Sequence, residues 1–397
     1  MNLEVLIADK LSSVAVSELE SLGASVRLEP DLTARDLPGE IGNAEVLIVR
    51  STKVSAATVA AGSNLALIVR AGAGVNTIDI EAASEAGVAV ANCPGKNTAA
   101  VAELAIGLMI AADRRIPDAT ADLRAGRWRK KEYGKAPGLR GRTLAIVGFG
   151  SIGRAVARAA AGLGMEVKAW SRSLTPEAAE VAGVAYCPSL VDAADADVVS
   201  VHLAAAPETK GAIDAGFFAK MRDRAIFLNT SRGEIVDQAA LANAISEKGI
   251  RAGLDVYADE PAGGDADFTD TEFAAAVAAA TPHIGASTDE ASAAIAAEAV
   301  RVVRSYVETG KPVNAVNIRE RAEERTTLVV RHFNRVGVLA SVLDILKDAG
   351  INIEEMENTI FRRGATATCA LKLDRPPQDA QLAEIRGGEH VIQVMVK

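Results

Sequence analysis

Three polar residues with complementary chemistry each follow a predicted strand in the later half of the chain: Arg232, Glu260 and His283. An arginine offers a planar fork of donors to a carboxylate, and a histidine exchanges protons near neutral pH. A carboxylate beside that histidine would orient its imidazole and favour the protonated form. Each residue alone is more often an ordinary structural or surface group. Their shared position at the carboxyl ends of strands, where ligands of open α/β sheets bind, favours hydride transfer at a 2-hydroxy acid.

A glycine motif upstream predicts the partner for such a transfer. The apolar run 144–147 breaks into Gly148-x-Gly150-x-x-Gly153, and a helix-like segment and a second strand candidate follow it. Glycines at this spacing permit a tight turn, a close approach of the backbone to a pyrophosphate and close packing of helix on strand. The residues predicted to bind a dinucleotide here are Gly148, Gly150, Ser151, Ile152 and Gly153.

The end of the second strand leaves the choice of cofactor open. An acidic residue is expected roughly 20 residues after such a motif, where it holds the ribose hydroxyls. This strand ends instead in Ser171, Arg172 and Ser173. A small hydroxyl with an arginine suits a 2′-phosphate better than a bare ribose. The sequence therefore predicts NAD or NADP as cofactor, with Ser171 and Arg172 in its site.

Composition limits the class of protein. The 397 residues exceed an average single domain, and 49% of them are hydrophobic, enough for sizeable cores. The net charge of −9 argues against general nucleic-acid binding. No apolar run approaches the roughly 18 residues that span a membrane. Three widely separated cysteines fit a cytoplasmic protein, and no metal-binding motif is predicted.

Alternating apolar runs predict an α/β fold with two Rossmann-like, doubly wound parallel-sheet domains. The first part has strand candidates at 5–8, 25–28, 46–49, 65–69 and 88–91 and a helix at 97–112. The second has strand candidates at 144–147, 167–170, 198–202, 225–229 and 252–256 and a helix at 289–306. A charged segment at 319–325 is interpreted as a linker. Residues 326–397 then follow a βαββαβ pattern, which predicts a small α+β domain.

Several segments resemble the D-isomer-specific 2-hydroxyacid dehydrogenases, most closely the members that act on phosphoglycerate. The matching segments are 49–54, 70–75, 92–98, 101–103, 148–153, 229–233, 255–261 and 282–286. The resemblance implies that Arg232 binds the substrate carboxylate and carbonyl, and that His283 is the acid/base with Glu260 as its partner. It also implies that Asp255 holds the nicotinamide carboxamide and that Thr230 lies in the cofactor site.

The same resemblance implies a layout and a substrate. A discontinuous substrate domain, 1–97 with 286–318, would surround a nucleotide-binding domain at 98–285. The implied reaction is oxidation of 3-phospho-D-glycerate to 3-phosphohydroxypyruvate, the first step of L-serine biosynthesis. Two arginines after adjacent parallel strands would suit the anionic substrate. The implied substrate-binding residues are Arg50, Ser51, Arg70, Gly74, Val75 and Asn97.

Residues 326–397 resemble an ACT domain, a ferredoxin-like ligand-binding module of amino-acid biosynthetic enzymes. The resemblance rests on segments 331–339 and 349–353, although Val336 replaces the usual proline. It implies L-serine as an effector, held by His332 and Asn334 in the turn after the first strand and by Asn352 at the start of the next. It also implies a homodimer or homotetramer.

Two other functions remain open from the sequence. Ser171 and Arg172 are compatible with an NADPH-dependent glyoxylate or hydroxypyruvate reductase. A nicotinamide-sensing binding protein on the same fold, similar to a corepressor, is an alternative of another class. Arg50 with Arg70 and the C-terminal domain argue against the reductase, and the complete Arg232, Glu260 and His283 set argues against the sensor.

Overall fold

The computed structural model describes residues 3–261, 266–319 and 326–397. The chain divides into two compact units, Met1–Ile318 and Arg319–Lys397. Most of the predicted linker, 320–325, lies outside the described residues. Within those residues, no helix has both the length and the apolar character needed to cross a membrane.

A parallel sheet opens the first unit. Its strands are β1 (Leu3–Ile7), β2 (Ala24–Leu28), β3 (Val46–Val49), β4 (Leu67–Arg70) and β5 (Ala89–Asn92), and its helices are α1 (Ser13–Ser21), α2 (Leu37–Glu40), α3 (Ala56–Ala61) and α4 (Ile80–Glu85). The strand order is β2-β1-β3-β4-β5, with every pair parallel. Both faces are buried, because Val46 and Ile48 of β3 join one apolar cluster while Leu47 and Val49 join another.

A second parallel sheet follows. Its strands are β6 (Thr143–Val147), β7 (Glu166–Trp170), β8 (Ala185–Tyr186), β9 (Val198–Val201), β10 (Ile226–Asn229), β11 (Arg251–Leu254) and β12 (Ala279–Ala280). Its helices are α5 (Thr98–Arg114), α6 (Ile116–Arg124), α7 (Lys130–Tyr133), α8 (Ser151–Gly162), α9 (Pro176–Val181), α10 (Leu190–Ala194), α11 (Ala215–Lys220), α12 (Gln238–Lys248) and α13 (Thr271–Ala276). The strand order is β12-β11-β10-β9-β6-β7-β8. The winding direction reverses between β6 and β9, where such sheets bind ligands.

The last helix of this unit, α14 (Asp289–Thr309), packs back on the first sheet. It begins where the Thr288 hydroxyl accepts the N–H of Ala291, and it ends at Gly310, whose φ of 71° stops the helix. Its buried residues, such as Val303, share an apolar cluster with β1 and β3. The predicted pair of parallel sheets is therefore confirmed.

The second unit contains β13 (Thr326–Phe333), α15 (Val338–Asp348), β14 (Ile353–Ile360), β15 (Thr366–Leu373), α16 (Asp379–Gly387) and β16 (Val391–Val396). The strands form an antiparallel sheet in the order β14-β15-β13-β16. The predicted βαββαβ order is confirmed. One prediction was wrong: His332 is a strand residue, because β13 continues past Leu328 and Val330 with the same buried alternation and pairs His332 with Ala367.

Candidate active site

Two glycines of the loop after β6, Gly148 and Gly153, have no room for a side chain. Gly148 has a φ of 101°, and a Cβ there would lie 2.5 Å from the His202 carbonyl oxygen. A Cβ on Gly153 would collide with the carbonyl oxygen of Gly148. The first turn of α8 therefore lies against the end of β6, and its N–H groups, including those of Ser151 and Ile152, lack intrahelical acceptors. This arrangement suits a pyrophosphate.

The other predicted cofactor residues lie at the same edge of the sheet. Ser171, partly buried, and Arg172, exposed, come directly after β7. Thr230 follows β10, and its buried hydroxyl has no hydrogen-bond partner among the described residues. A buried hydroxyl without a partner is costly, so this position fits a polar group of a bound dinucleotide.

Glu260 and His283 form a short contact. They follow the neighbouring strands β11 and β12, and 2.6 Å separates Nδ1 of His283 from Oε2 of Glu260. The other oxygen, Oε1, accepts the N–H of Tyr257 at 3.0 Å. Because an ionised carboxylate only accepts hydrogen bonds, Nδ1 carries the hydrogen, and Nε2 is the ring nitrogen left to accept a proton.

The surroundings of Glu260 keep it ionised. Burial alone would raise its pKa, but the hydrogen bond and charge of His283, the N–H of Tyr257 and the nearby Arg232 together lower the pKa of Glu260 below its usual value. The carboxylate therefore remains available to orient His283 and to stabilise an imidazolium.

Asp255 holds the turn that carries His283. The buried Asp255 carboxylate accepts the Thr281 hydroxyl at 2.6 Å and the N–H groups of Ile284 and Gly285 at 2.8 Å each. The N–H of His283 donates to the Asp255 carbonyl, also at 2.8 Å. His283 has a φ of 53°, which is uncommon for a residue other than glycine. Asp255 therefore stabilises an unfavourable backbone conformation at His283, whereas its contact with nicotinamide stays a prediction.

Arg232 follows β10 and reaches across to the first sheet. Its carbonyl accepts the side-chain N–H of Asn229 at 2.9 Å, and its Nη1 donates to the Ser231 carbonyl at 2.7 Å. Its Nη2 lies 3.4 Å from Oδ1 of Asn76. Burial lowers the pKa of Arg232, and the nearby Glu260 opposes that effect. The guanidinium is thus held at the point where the two sheets face each other.

A second guanidinium, that of the partly buried Arg70, lies close by. A Cβ on Gly74 would collide with Nη2 of Arg232, and one on Gly72 with Nη1 of Arg70, so the loop after β4 runs against both arginines. Burial, then the charge of Arg232 and more weakly that of Arg50, lower the pKa of Arg70 to about 10. Nε of Arg70 is buried without a partner among the described residues. The cluster is therefore suited to an anionic ligand.

The remaining predicted substrate residues lie on segments that follow β3, β4 and β5. Arg50 and Ser51 follow β3, and their N–H groups donate to Oδ2 of Asp9 at 2.7 and 3.1 Å. The Val75 carbonyl accepts the N–H of Ile78 at 3.0 Å. Asn97 is the residue before α5 and makes no side-chain capping hydrogen bond among the described residues.

In the C-terminal unit, His332 and Asn334 lie near one end of the sheet. His332 is buried, with Nδ1 2.8 Å from the Phe333 carbonyl and Nε2 3.3 Å from Oδ1 of Asn358. The Asn334 side chain donates to the Gly364 carbonyl at 3.0 Å. Both side chains thus already have partners within the unit.

Asn352 lies at the opposite end of that sheet. Its N–H donates to Oδ1 of Asp374 at 2.9 Å, next to the pair that Ile353 makes with Leu373. His332 opposes Ala367, six residues earlier in β15, so the two ends are roughly 20 Å apart at the usual rise of a strand. One copy of the unit does not bring the three predicted effector residues together.

Sequence reasoning missed Asp9, Asn76 and Thr281. Each of the three lies within two residues of a predicted strand or motif segment. The sequence carries no other signal for a role in the site. Their roles depend on hydrogen bonds between segments distant in sequence, and strand periodicity carries no information about such pairs.

Comparison with known proteins agrees with this geometry. Residues 106–285 match the D-isomer specific 2-hydroxyacid dehydrogenase, NAD binding domain. D-3-phosphoglycerate dehydrogenase of Archaeoglobus fulgidus is 39% identical over 323 residues, 80% of this chain and 59% of that protein. The enzyme of the same name from Methanocaldococcus jannaschii is 34% identical over 356 residues, 89% of this chain and 67% of that protein. The chain belongs to the D-isomer specific 2-hydroxyacid dehydrogenase family.

A solved structure extends the similarity to the fold. The NAD⁺-bound 3-phosphoglycerate dehydrogenase of Entamoeba histolytica superposes with a TM-score of 0.67 at 28% identity, covering 81% of this chain and all (100%) of that one. This chain spans 59% and 67% of the lengths of the two curated relatives.

Proposed function

We propose that the protein oxidises 3-phospho-D-glycerate to 3-phosphohydroxypyruvate, with transfer of hydride to a nicotinamide dinucleotide, as the first step of L-serine synthesis. The observation that carries the proposal is the pair of partly buried arginines, Arg70 and Arg232, beside the 2.6 Å contact of His283 and Glu260. A substrate with a carboxylate, a phosphate and a hydroxyl matches two cationic positions and one base. The names of the two curated relatives support the same substrate.

Each of these residues has a separate role in the proposed reaction. Arg232 binds the substrate carboxylate, and Arg70 with Arg50 binds the phosphate. Nε2 of His283 accepts the proton of the C2 hydroxyl while the C2–H bond breaks and the carbon becomes a ketone. Glu260 stabilises the imidazolium that results. The bound dinucleotide supplies the hydride acceptor, held by the loop 148–153 with Thr230.

Initial rates with three substrates test this proposal. We expect kcat/KM to be highest for 3-phospho-D-glycerate and much lower for D-glycerate and 2-hydroxyglutarate, because neither of these carries a phosphate. Equal values for glycerate and phosphoglycerate would contradict the proposed substrate, while leaving the dehydrogenase chemistry in place.

Ser171 and Arg172 support a second candidate, an NADPH-dependent glyoxylate or hydroxypyruvate reductase. Without an acidic residue after β7, a 2′-phosphate meets no repulsion from this strand end, and Arg172 is exposed to receive it. The kcat/KM values for NAD and NADP, in the wild type and in Ser171→Asp, test whether this strand end binds a 2′-phosphate. A strong preference for NAD that Ser171→Asp leaves unchanged would reject the phosphate site.

For the C-terminal unit, we propose an ACT domain that binds L-serine between two copies of the chain. Asn352 is roughly 20 Å from His332 and Asn334, so a site using all three needs Asn352 of a partner copy. β14 is the edge strand of that sheet, which is the position at which a second copy can add a strand. This proposal agrees with the expected homodimer or homotetramer. Calorimetry with millimolar serine, in the wild type and in Asn352→Ala, tests it, and no binding in either would reject it.

A further inference from the structure

We propose that Asp9 is a positioning residue of the phosphate site, an inference that rests on the proposed oxidation of phosphoglycerate. Asp9 follows β1, and β1 and β3 are the strands between which the first sheet reverses direction. Its Oδ2 accepts the N–H groups of Arg50, Ser51 and Thr52 at 2.7, 3.1 and 3.0 Å. One carboxylate oxygen thus accepts hydrogen bonds from three successive backbone N–H groups. We call this arrangement the Asp9 clamp.

This clamp fixes the loop before a ligand arrives. Three consecutive N–H groups that converge on one atom restrict the backbone at Arg50 and Ser51. The Thr52 hydroxyl adds a bond to the Ala8 carbonyl at 3.2 Å, which ties the loop to β1 a second time. Without the clamp, the loop would have to be ordered on binding, and that entropy cost would weaken the affinity for phosphate.

The clamp also lies beside the guanidinium cluster. The charge of Asp9 is felt at Arg70, where it opposes the lowering of the pKa caused by burial and by Arg232. Oδ2 is saturated by backbone donors, so Asp9 supports the cluster while leaving the arginines available for an anion. Arg50, Ser51 and Arg70 are then positioned before a substrate phosphate binds.

A purely structural aspartate offers a matched control. Asp79, in the same sheet domain, accepts the N–H of Ala82 at 3.0 Å and caps α4. Loss of that cap should lower the stability of the fold and change kcat/KM for all substrates by the same factor. Loss of the Asp9 clamp should lower kcat/KM for the phosphorylated substrate alone, because only the phosphate contacts Arg50 and Ser51.

The experiment measures the ratio of kcat/KM for 3-phospho-D-glycerate to that for D-glycerate. We expect Asp9→Ala to lower this ratio about tenfold or more, through a higher KM for phosphoglycerate, with kcat changed by less than about twofold. Asp9→Asn should restore the ratio, because its Oδ1 accepts the same donors. Asp79→Ala should keep the wild-type ratio.

The outcomes separate this inference from the proposed function. A wild-type ratio retained in folded Asp9→Ala overturns the role of Asp9 and leaves the substrate assignment standing. A ratio as low in Asp9→Asn as in Asp9→Ala also overturns it, because the charge would then matter rather than the bonds. A wild type that does not prefer phosphoglycerate overturns both proposals. If Asp9→Ala does not fold, Asp9→Ser, whose short hydroxyl cannot reach three donors, replaces it under the same criteria.

Discussion

At the scale of single residues, the proposed proton transfer depends on the pair of His283 and Glu260. We expect His283→Ala to lower kcat by about 10²–10⁴-fold, the usual loss for a general acid or base. Glu260→Gln should lower kcat by a smaller factor, because the amide oxygen still accepts the hydrogen bond from Nδ1–H but carries no charge. Steady-state kinetics with circular dichroism as the folding control checks both variants. Near-wild-type kcat in folded His283→Ala would contradict the assignment.

Asn76 sets the direction of Arg232 through a neutral contact of 3.4 Å. A carboxylate at this position would bind the guanidinium more tightly and compete with the substrate carboxylate. Asn76→Asp should therefore raise KM for the substrate more than Asn76→Ala does, while KM for the cofactor stays unchanged. Measurement of both KM values checks this, and an Asp variant that binds substrate as well as the wild type would disprove it.

At the scale of elements, the close approach of α8 to β6 makes the cofactor site. Gly153→Ala should weaken cofactor binding, because the new methyl group would collide with the Gly148 carbonyl and push the helix away. Gly162→Ala, in the same helix with nothing within 4 Å of the added carbon, is the matched control and should leave affinity unchanged. Fluorescence titration with NADH measures both, and equal affinities would refute the packing argument.

Most elements could be predicted because apolar alternation and glycines determine them locally. The βαββαβ order of the last unit followed from periodicity alone, and the strand predicted at 225–229 matches β10, which Arg232 follows. Periodicity failed where a polar residue occupies a buried strand position, as His332 does in β13. It also could not show that Asp9 gathers three N–H groups from a loop about 41 residues away, because such bonds depend on tertiary contacts.

At the scale of the whole molecule, acid should weaken the first unit through Glu298 of α14. The hydrogen bond from Arg301, opposed by burial and assisted by Asn314 and Lys96, lowers the pKa of Glu298 from 4.5 to about 2. A depressed pKa stabilises the fold fully above the ordinary value, and that contribution is lost as pH falls toward the folded value. The shift corresponds to about 3 kcal/mol.

Glu298→Gln should therefore unfold at lower urea concentration than the wild type near neutral pH. The difference should shrink as pH falls from about 4.5 to about 2. Glu308→Gln, an exposed position in the same helix, serves as the control and should match the wild type throughout. A stability difference for Glu298→Gln that does not change with pH would contradict the role of its charge.

In the proposed function, Arg50, which follows β3, and Arg70, the last residue of β4, recognise the substrate phosphate. The most direct test compares kcat/KM for 3-phospho-D-glycerate and D-glycerate in the wild type, in Arg50→Ala and in Arg27→Ala, an exposed arginine of the same sheet. We expect the wild type to prefer phosphoglycerate, Arg50→Ala to lose about 10–100-fold on that substrate alone, and Arg27→Ala to match the wild type. Equal wild-type values for the two substrates, or an equal loss on both in Arg50→Ala, would contradict the claim.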